Sequence, residues 1–136
     1  TRLEIELTET ALFGDEEMAA NQIKRLRALG VAIALDDFGT GYSSLSLLRK
    51  FKFDRIKIDR SFIMDIEDSV EASAIVRSVI SMATSLGAEV VGEGVETVGQ
   101  RLMLEAAGCT YLQGYHFGRP STSSDTDRLL NKRLAA

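Results

Sequence analysis

Five short extended runs, near residues 3–8, 31–36, 54–58, 88–92 and 110–113, mostly lead into helical patterns. This repeated strand-then-helix order restricts the chain to a parallel sheet with crossover helices. The first helix is predicted to begin near Asp15, to present Ala19, Ile23, Leu26 and Leu29 to a core, and to stop at Gly30, a residue suited to a left-handed C-terminal turn. A shorter helix uses Leu45, Leu48 and Phe51. The longest runs from about Ser69 to Leu86, with Ile75, Val76, Val79, Ile80 and Ala83 on one stripe and Gly87 closing it. Thr97 and Gln100 have capping-box spacing and open a helix through Leu102, Met103 and Ala106 to Gly108. A last helical stretch from about Ser124 covers Leu129, Leu130 and Leu134, and no low-complexity linker divides the chain.

Each strand has two characters, because successive side chains point to opposite faces. Leu3, Ile5 and Leu7 oppose Glu4, Glu6 and Thr8, and Ile56 and Ile58 oppose Arg55, Lys57 and Asp59. Glu89, Val91 and Glu93 share one face of the fourth run, as Ala32, Ala34 and Asp36 do in the second. A doubly wound sheet would bury these charges beneath helices, which is costly unless every one is paired. A barrel lumen suits them better: the apolar face meets the helix ring, while Glu4, Arg55 and Glu89 neutralise one another inside. The 136 residues fall short of the roughly 250 of a complete eight-stranded barrel. The fold class is therefore α/β, a partial TIM-type (β/α) barrel of about five βα units.

Charge and composition narrow the function. Sixteen Lys and Arg face twenty Asp and Glu, a net charge of −4, which argues against a basic surface for duplex DNA or RNA. With 45% hydrophobic residues the chain is globular. A single cysteine excludes an intramolecular disulfide, and no signal peptide or membrane-spanning run is visible. A cytoplasmic setting with no membrane contact from this segment is expected.

Parallel βα architectures place their sites at the C-terminal strand ends, where this chain concentrates its acids. Glu6 and Glu9 end the first strand, Asp36 and Asp37 the second, Lys57 lies near the end of the third, Glu93 and Glu96 follow the fourth, and Gln113 ends the fifth. Oxygen ligands from several strands point to Mg²⁺ or Mn²⁺, whereas zinc would recruit His or Cys, and His116 and Cys109 are too few. The adjacent pair Asp36 and Asp37 is the strongest element, since neighbouring carboxylates resist joint ionisation without a cation beside them. Divalent ions with a fixed lysine suit phosphodiester hydrolysis. Ordinary duties compete: strand-end acids cap helices, Glu9 and Glu96 serve loops, and Lys57 forms an internal ion pair. Cys109 and His116 read as structural. Tyr111, Tyr115 and Phe117 are candidates for stacking a base, with core packing the competing duty for at least one.

In order and spacing, several motifs resemble the EAL-domain family of cyclic di-GMP phosphodiesterases. They are Glu6-Leu7-Thr8-Glu9, Asp36-Asp37-Phe38-Gly39-Thr40-Gly41-Tyr42-Ser43-Ser44-Leu45, Lys57-Ile58-Asp59, Glu93-Gly94-Val95-Glu96, Gln113-Gly114-Tyr115 and Phe117-Gly118-Arg119-Pro120. The resemblance implies a barrel rim that holds two Mg²⁺ or Mn²⁺ ions and opens cyclic di-GMP to linear pGpG. It implies Glu6, Asp36, Asp37 and Glu93 as metal ligands, with Asp36 shared by both ions. Lys57 resembles the lysine that holds the attacking water, and Glu93 matches a glutamate given coordination or general-base work. Glu9 is similar to the anchor of the loop containing Gly39 and Gly41, a loop associated with metal binding and dimer contacts, while Glu96 and Gln113 support the rim.

The namesake Glu-Ala-Leu strand and the strand carrying an Asn ligand are absent. Residues 1–136 are therefore expected to be the C-terminal part of a single EAL-type phosphodiesterase domain, paired with the missing N-terminal half of the barrel or with a second copy. The isolated chain is expected to turn over little or not at all, because hard divalent ions need several oxygens held together. The alternative is a non-catalytic module that binds cyclic di-GMP or a protein. A phospho-acceptor domain would also use an acidic pair and a lysine, but the short interval from Asp37 to Lys57 disfavours it.

Overall fold

The computed structural model describes residues 3–12, 16–39 and 44–134, without side-chain placement at 16, 44, 45, 129, 130 and 132–134. Asp15, Thr40, Gly41, Tyr42 and Ser43, and the side chains of Leu45, Leu129, Leu130 and Leu134, thus lie outside the described residues.

Five strands, β1 (Glu4–Thr8), β2 (Ala32–Phe38), β3 (Arg55–Ile58), β4 (Glu89–Gly92) and β5 (Tyr111–Leu112), form one parallel sheet in sequence order. Between them lie α1 (Glu16–Ala28), α2 (Ser44–Lys50), α3 (Arg60–Met64), α4 (Val70–Ser85) and α5 (Val98–Ala106), and α6 (Ser123–Leu134) follows β5. The strand order never reverses. Right-handed crossovers then place successive helices on the same face, as in a (β/α) barrel and unlike a doubly wound sheet. The fold is a five-stranded arc of the TIM-barrel type. Among the described residues no helix is long and apolar enough to cross a membrane.

The core lies between sheet and helices. Ile33, Leu35, Ile56, Ile58 and Val90 from the strands pack with Ile23, Leu47, Ile63, Val76, Ile80 and Leu104. Side chains of opposite parity face away from them. There the Arg55 guanidinium reaches Glu4 Oε2 at 2.8 Å and Glu89 Oε2 at 3.0 Å, the internal neutralisation expected of a lumen. Arg55 also lies 4.7 Å above the Tyr111 ring, and the Tyr111 hydroxyl donates to Glu89 Oε1 at 3.1 Å, which commits this tyrosine to the floor. Small residues make room for these groups: Ala34, opposite Arg55 in the register, is fully buried.

The expected helices form, with informative differences. Ser69 caps α4 by accepting from the Ala72 N–H, and Thr97 and Gln100 close a reciprocal capping box on α5. Ile75 does not join the α4 stripe and is 45% exposed; the buried line is Ser73, Val76, Ile80 and Ala83, the spacing a straight helix turns to one side. Leu29 was expected inside but is 79% exposed, because α1 ends at Ala28 and Leu29 belongs to the turn completed by Gly30. Phe51 lies just beyond α2 yet is buried, and β2 extends to Phe38, past its expected end. The short helix α3 directly after β3 was not foreseen. Cys109 is half-buried, and burial pushes its thiol pKa up, in keeping with a packing role.

Ile56→Ala is predicted to lower the unfolding free energy by about 3 kcal/mol and Leu29→Ala by less than about 0.5 kcal/mol. Urea titration of both variants checks this, and equal losses would overturn the assignment of inner and outer positions.

Candidate active site

Lys57 points from β3 to the face opposite the core, and its side chain is 9% exposed. Its ammonium lies 2.8 Å from Glu6 Oε2 on β1, 2.9 Å from Asp36 Oδ1 on β2 and 2.9 Å from Glu93 Oε1 just after β4. One cation thus gathers carboxylates from three other chain segments. Burial works against its charge, but the contacts with Glu6, Asp36 and Glu93 outweigh this and push the pKa well up. Lys57 remains an ammonium at any physiological pH.

The adjacent acids Asp36 and Asp37 pose a geometric problem, because strand alternation sends neighbours to opposite faces. The pairing of β2 with β3 resolves it. Leu35 pairs with Ile56 and Phe38 with Ile58, so two aspartates stand against the single residue Lys57. This is a bulge, and Asp37 absorbs it with a left-handed φ of 53°. Oxygens of Asp36, Asp37 and Glu93 consequently lie within 4.8 Å of one another. Glu6 joins the group through Lys57 and lies outside that oxygen cluster.

Among the described residues four carboxyls face one ammonium, so the site carries excess negative charge. Burial first, and then the neighbouring Asp36, Asp59 and Glu6, raise the pKa of Asp37 against the opposing pull of Lys57. Burial likewise raises that of Glu93, assisted by Asp36 and Glu6, while Lys57 opposes it. Hard oxygens at this spacing, with no thiol or imidazole among them, fit a divalent cation of the Mg²⁺ or Mn²⁺ type.

The remaining expected residues fall around this centre. Glu9 opens a 3₁₀ turn, Glu9–Leu12, and is buried; its Oε1 accepts the Gly39 N–H at 3.0 Å, tethering the end of the bulge to β1. Gly39 has φ 97°, and a Cβ there would come within 2.8 Å of the Phe62 ring. Glu96 is turned away from the cluster and pairs with Arg60 at 2.7 Å. Gln113 is exposed beside a groove of about 270 Å³ shared with Glu93, Gly94 and Tyr115, while its backbone joins the loop from both sides. Tyr115 lies beneath Arg119, 4.5 Å from guanidinium to ring, and Phe117 is exposed with its ring edge-on to His116.

Two features escaped sequence reasoning. Asp59, in the Lys57-Ile58-Asp59 run, caps α3 by accepting from the Ser61 N–H and hydroxyl, and its charge also acts on Asp37. The bulge left no compositional signal beyond two adjacent acids followed by Gly39.

Comparison with known proteins gives the family. The family described as the EAL domain matches residues 1–120, and the chain belongs to that family. It is 48% identical over 118 residues to the cyclic di-GMP phosphodiesterase NbdA of Pseudomonas aeruginosa, covering 87% of this chain and 15% of that protein. The crystal structure of the EAL domain of Mycobacterium smegmatis DcpA superposes with a TM-score of 0.90 at 40% identity, over 95% of this chain and 58% of that one. A manganese and cy-diGMP complex of Klebsiella pneumoniae BlrP1 gives a TM-score of 0.81 at 43% identity, over 86% of this chain and 30% of that one. The chain therefore spans little over half of the DcpA structure and about a seventh of NbdA.

The raised carboxyls imply a pH dependence of stability. Between the ordinary values of 3.8 and 4.5 and their raised ones, the folded protein holds more protons than the unfolded chain, so stability falls as pH climbs through that window. Asp37→Asn removes one of these charges, and Asn tolerates the left-handed backbone. In chelated buffer the substitution is expected to raise Tm near pH 7 more than near pH 3, below the ordinary value of 3.8, where Asp37 is largely protonated whether folded or unfolded. Thermal melts at the two pH values would contradict this by showing the same change.

Proposed function

We propose that this chain supplies the C-terminal strand-end portion of a metal-dependent phosphodiesterase site that hydrolyses cyclic di-GMP to linear pGpG. The observation that carries the reading is the convergence of Glu6, Asp36, Asp37 and Glu93 on Lys57 at one end of the sheet. The similarity to the cyclic di-GMP phosphodiesterase NbdA and to the manganese and cy-diGMP complex of BlrP1 supports the same substrate and a divalent metal.

Asp36, Asp37 and Glu93 would hold the divalent ions, with Glu6 approaching from β1. Two such ions, Mg²⁺ or Mn²⁺, supply Lewis acidity and a water of lowered pKa when bound. Lys57 stays protonated, so it holds the attacking water or a phosphoryl oxygen by charge and hydrogen bonding and does not act as a base. Glu93 is the better proton acceptor, since its raised pKa brings it toward the working pH while its carboxylate remains beside Lys57. Water adds to phosphorus, its proton passes to Glu93, and the 3′ oxygen on the far side departs and takes a proton from solvent. One P–O bond forms as one breaks, leaving a linear dinucleotide with a 5′ phosphate. The Glu9 tether on Gly39 holds the bulge that aims Asp37.

Assay of the full-length protein carrying this chain, with Mn²⁺ or Mg²⁺ and cyclic di-GMP, is expected to yield pGpG, with chelation abolishing turnover. Asp36→Asn is expected to reduce kcat by at least about a hundredfold. Intact substrate at saturating enzyme would refute hydrolysis; calorimetric binding in that case would favour a non-catalytic receptor.

Replacing Lys57 by Met tests the electrostatic core of this reading. It is expected to cost about 2 kcal/mol of stability, less than for a fully buried pair because Glu6 is about half exposed. Activity is expected to be lost even where the variant remains folded, as judged by circular dichroism alongside the assay.

A further inference from the structure

Glu93 stands at the start of a loop, 93–97, that must hold its carboxylate beside Lys57 without regular secondary structure. Several backbone contacts fix this loop. The Glu93 N–H donates to Ile58 O at 3.2 Å, the Val95 N–H to Gln113 O at 3.0 Å, and Gln100 Oε1 accepts from the N–H groups of Glu96 and Thr97. The first ties Glu93 itself to Ile58, the last residue of β3; the space over the following turn, at Gly94, is filled by a side chain.

Arg60 occupies that place. It is the first residue of α3, three positions after Lys57, and its stem lies across Gly94. A Cβ at Gly94 would collide with Arg60 Cγ and fall 2.7 Å from its Cβ and 2.8 Å from its Cδ, so only glycine admits the arginine here. Gly94 also takes φ +71°, which turns the chain so that Val95, two residues after the half-buried Glu93, is fully buried. Beyond the stem, Arg60 Nη2 donates to Glu96 Oε1 at 2.7 Å. A second strap joins the same two segments: the Thr97 hydroxyl donates to Glu67 Oε2 at 2.5 Å, and Glu67 packs where a side chain on Gly99 would lie.

The Arg60 and Glu96 side chains are 49% and 42% exposed, and ion pairs so exposed add little to global stability. What the contact does is geometric. It joins the end of β3, which carries Lys57, to the loop that carries Glu93, over a glycine whose missing side chain permits the approach. We propose that Arg60 is a positioning residue for Glu93, setting where that carboxylate meets Lys57, Asp36 and Asp37. The inference rests on the reading of this cluster as a metal-dependent phosphodiesterase site.

The test uses the full-length protein with Arg60→Ala, Arg60→Lys and Gly94→Ala. Calorimetric titration with Mn²⁺ alone is expected to show about tenfold weaker binding in Arg60→Ala, as for other residues that orient metal ligands. Turnover of cyclic di-GMP is expected to lose about tenfold in kcat with KM within about twofold, and Tm to move by no more than about 2 °C. Lysine preserves the stem over Gly94 and the charge, so Arg60→Lys should recover most of both losses. Gly94→Ala should reproduce the defect by displacing Arg60 while leaving its charge in place. Wild-type Mn²⁺ affinity in both Arg60→Ala and Gly94→Ala would overturn the proposal, as would a loss that lysine fails to recover. Should Arg60→Ala not fold, the lysine and Gly94 variants decide alone. If the wild-type protein fails to cleave cyclic di-GMP, the functional reading falls, and the Mn²⁺ titrations still decide the role of Arg60.

Discussion

The Lys57 ammonium allows four carboxyls to share one end of a small sheet. Without a cation among them, Glu6, Asp36, Asp37 and Glu93 would repel one another at distances where desolvation strengthens every charge. Lys57 contacts three of the four directly, from a position buried between β2 and β4. It neutralises only part of their charge. Burial first, and then the remaining negative charge, raise the pKa values of Asp37 and Glu93, and the cluster is left ready for a divalent cation. The same arrangement recurs two residues earlier, where Arg55 lies between Glu4 and Glu89, but there only two carboxyls face the cation and the group serves as a floor. Two layers of one motif thus take different duties according to their charge balance.

Backbone distortion is concentrated where the chemistry needs it. The bulge at Asp36 and Asp37, with the left-handed Asp37, brings two consecutive side chains toward Glu93. Such a conformation costs free energy that the surroundings must offset. Glu9 beneath Gly39, and Phe62 packed where a side chain on Gly39 would be, are the visible restraints. A second departure from regular structure, at Gly94, brings the Arg60 stem against the loop of Glu93. Both distortions lie at C-terminal strand ends, the rim on which βα folds carry their sites.

Much of this was legible in the chain itself, for identifiable reasons. Alternation along the strands separated Ile56 and Ile58 from Arg55 and Lys57, and the structure places them on opposite faces. The Thr97 and Gln100 spacing marked the start of α5 because a capping box is a local interaction between near neighbours. Ile75 and Leu29 were misplaced because apolarity alone does not say which side of a helix, or which side of its end, faces a core. The five-residue α3 was too short to leave a periodic signal, and with it the contact between Arg60 and Gly94 was hidden.

Residue order was sufficient to establish alternating strands and helices, an inward polar face and an acidic rim with one lysine, since each follows from periodicity or from the chemistry of single side chains. Family membership was also readable, because the motifs retain their order and spacing. Three dimensions were needed to bring Asp37 to the same side as Asp36, to leave Glu96 on Arg60 and outside the cluster, and to aim Glu93 at Lys57. Those outcomes depend on strand register, on one extra residue in β2 and on a glycine crossed by a distant arginine. They arise from contacts between segments tens of residues apart, which no local pattern encodes.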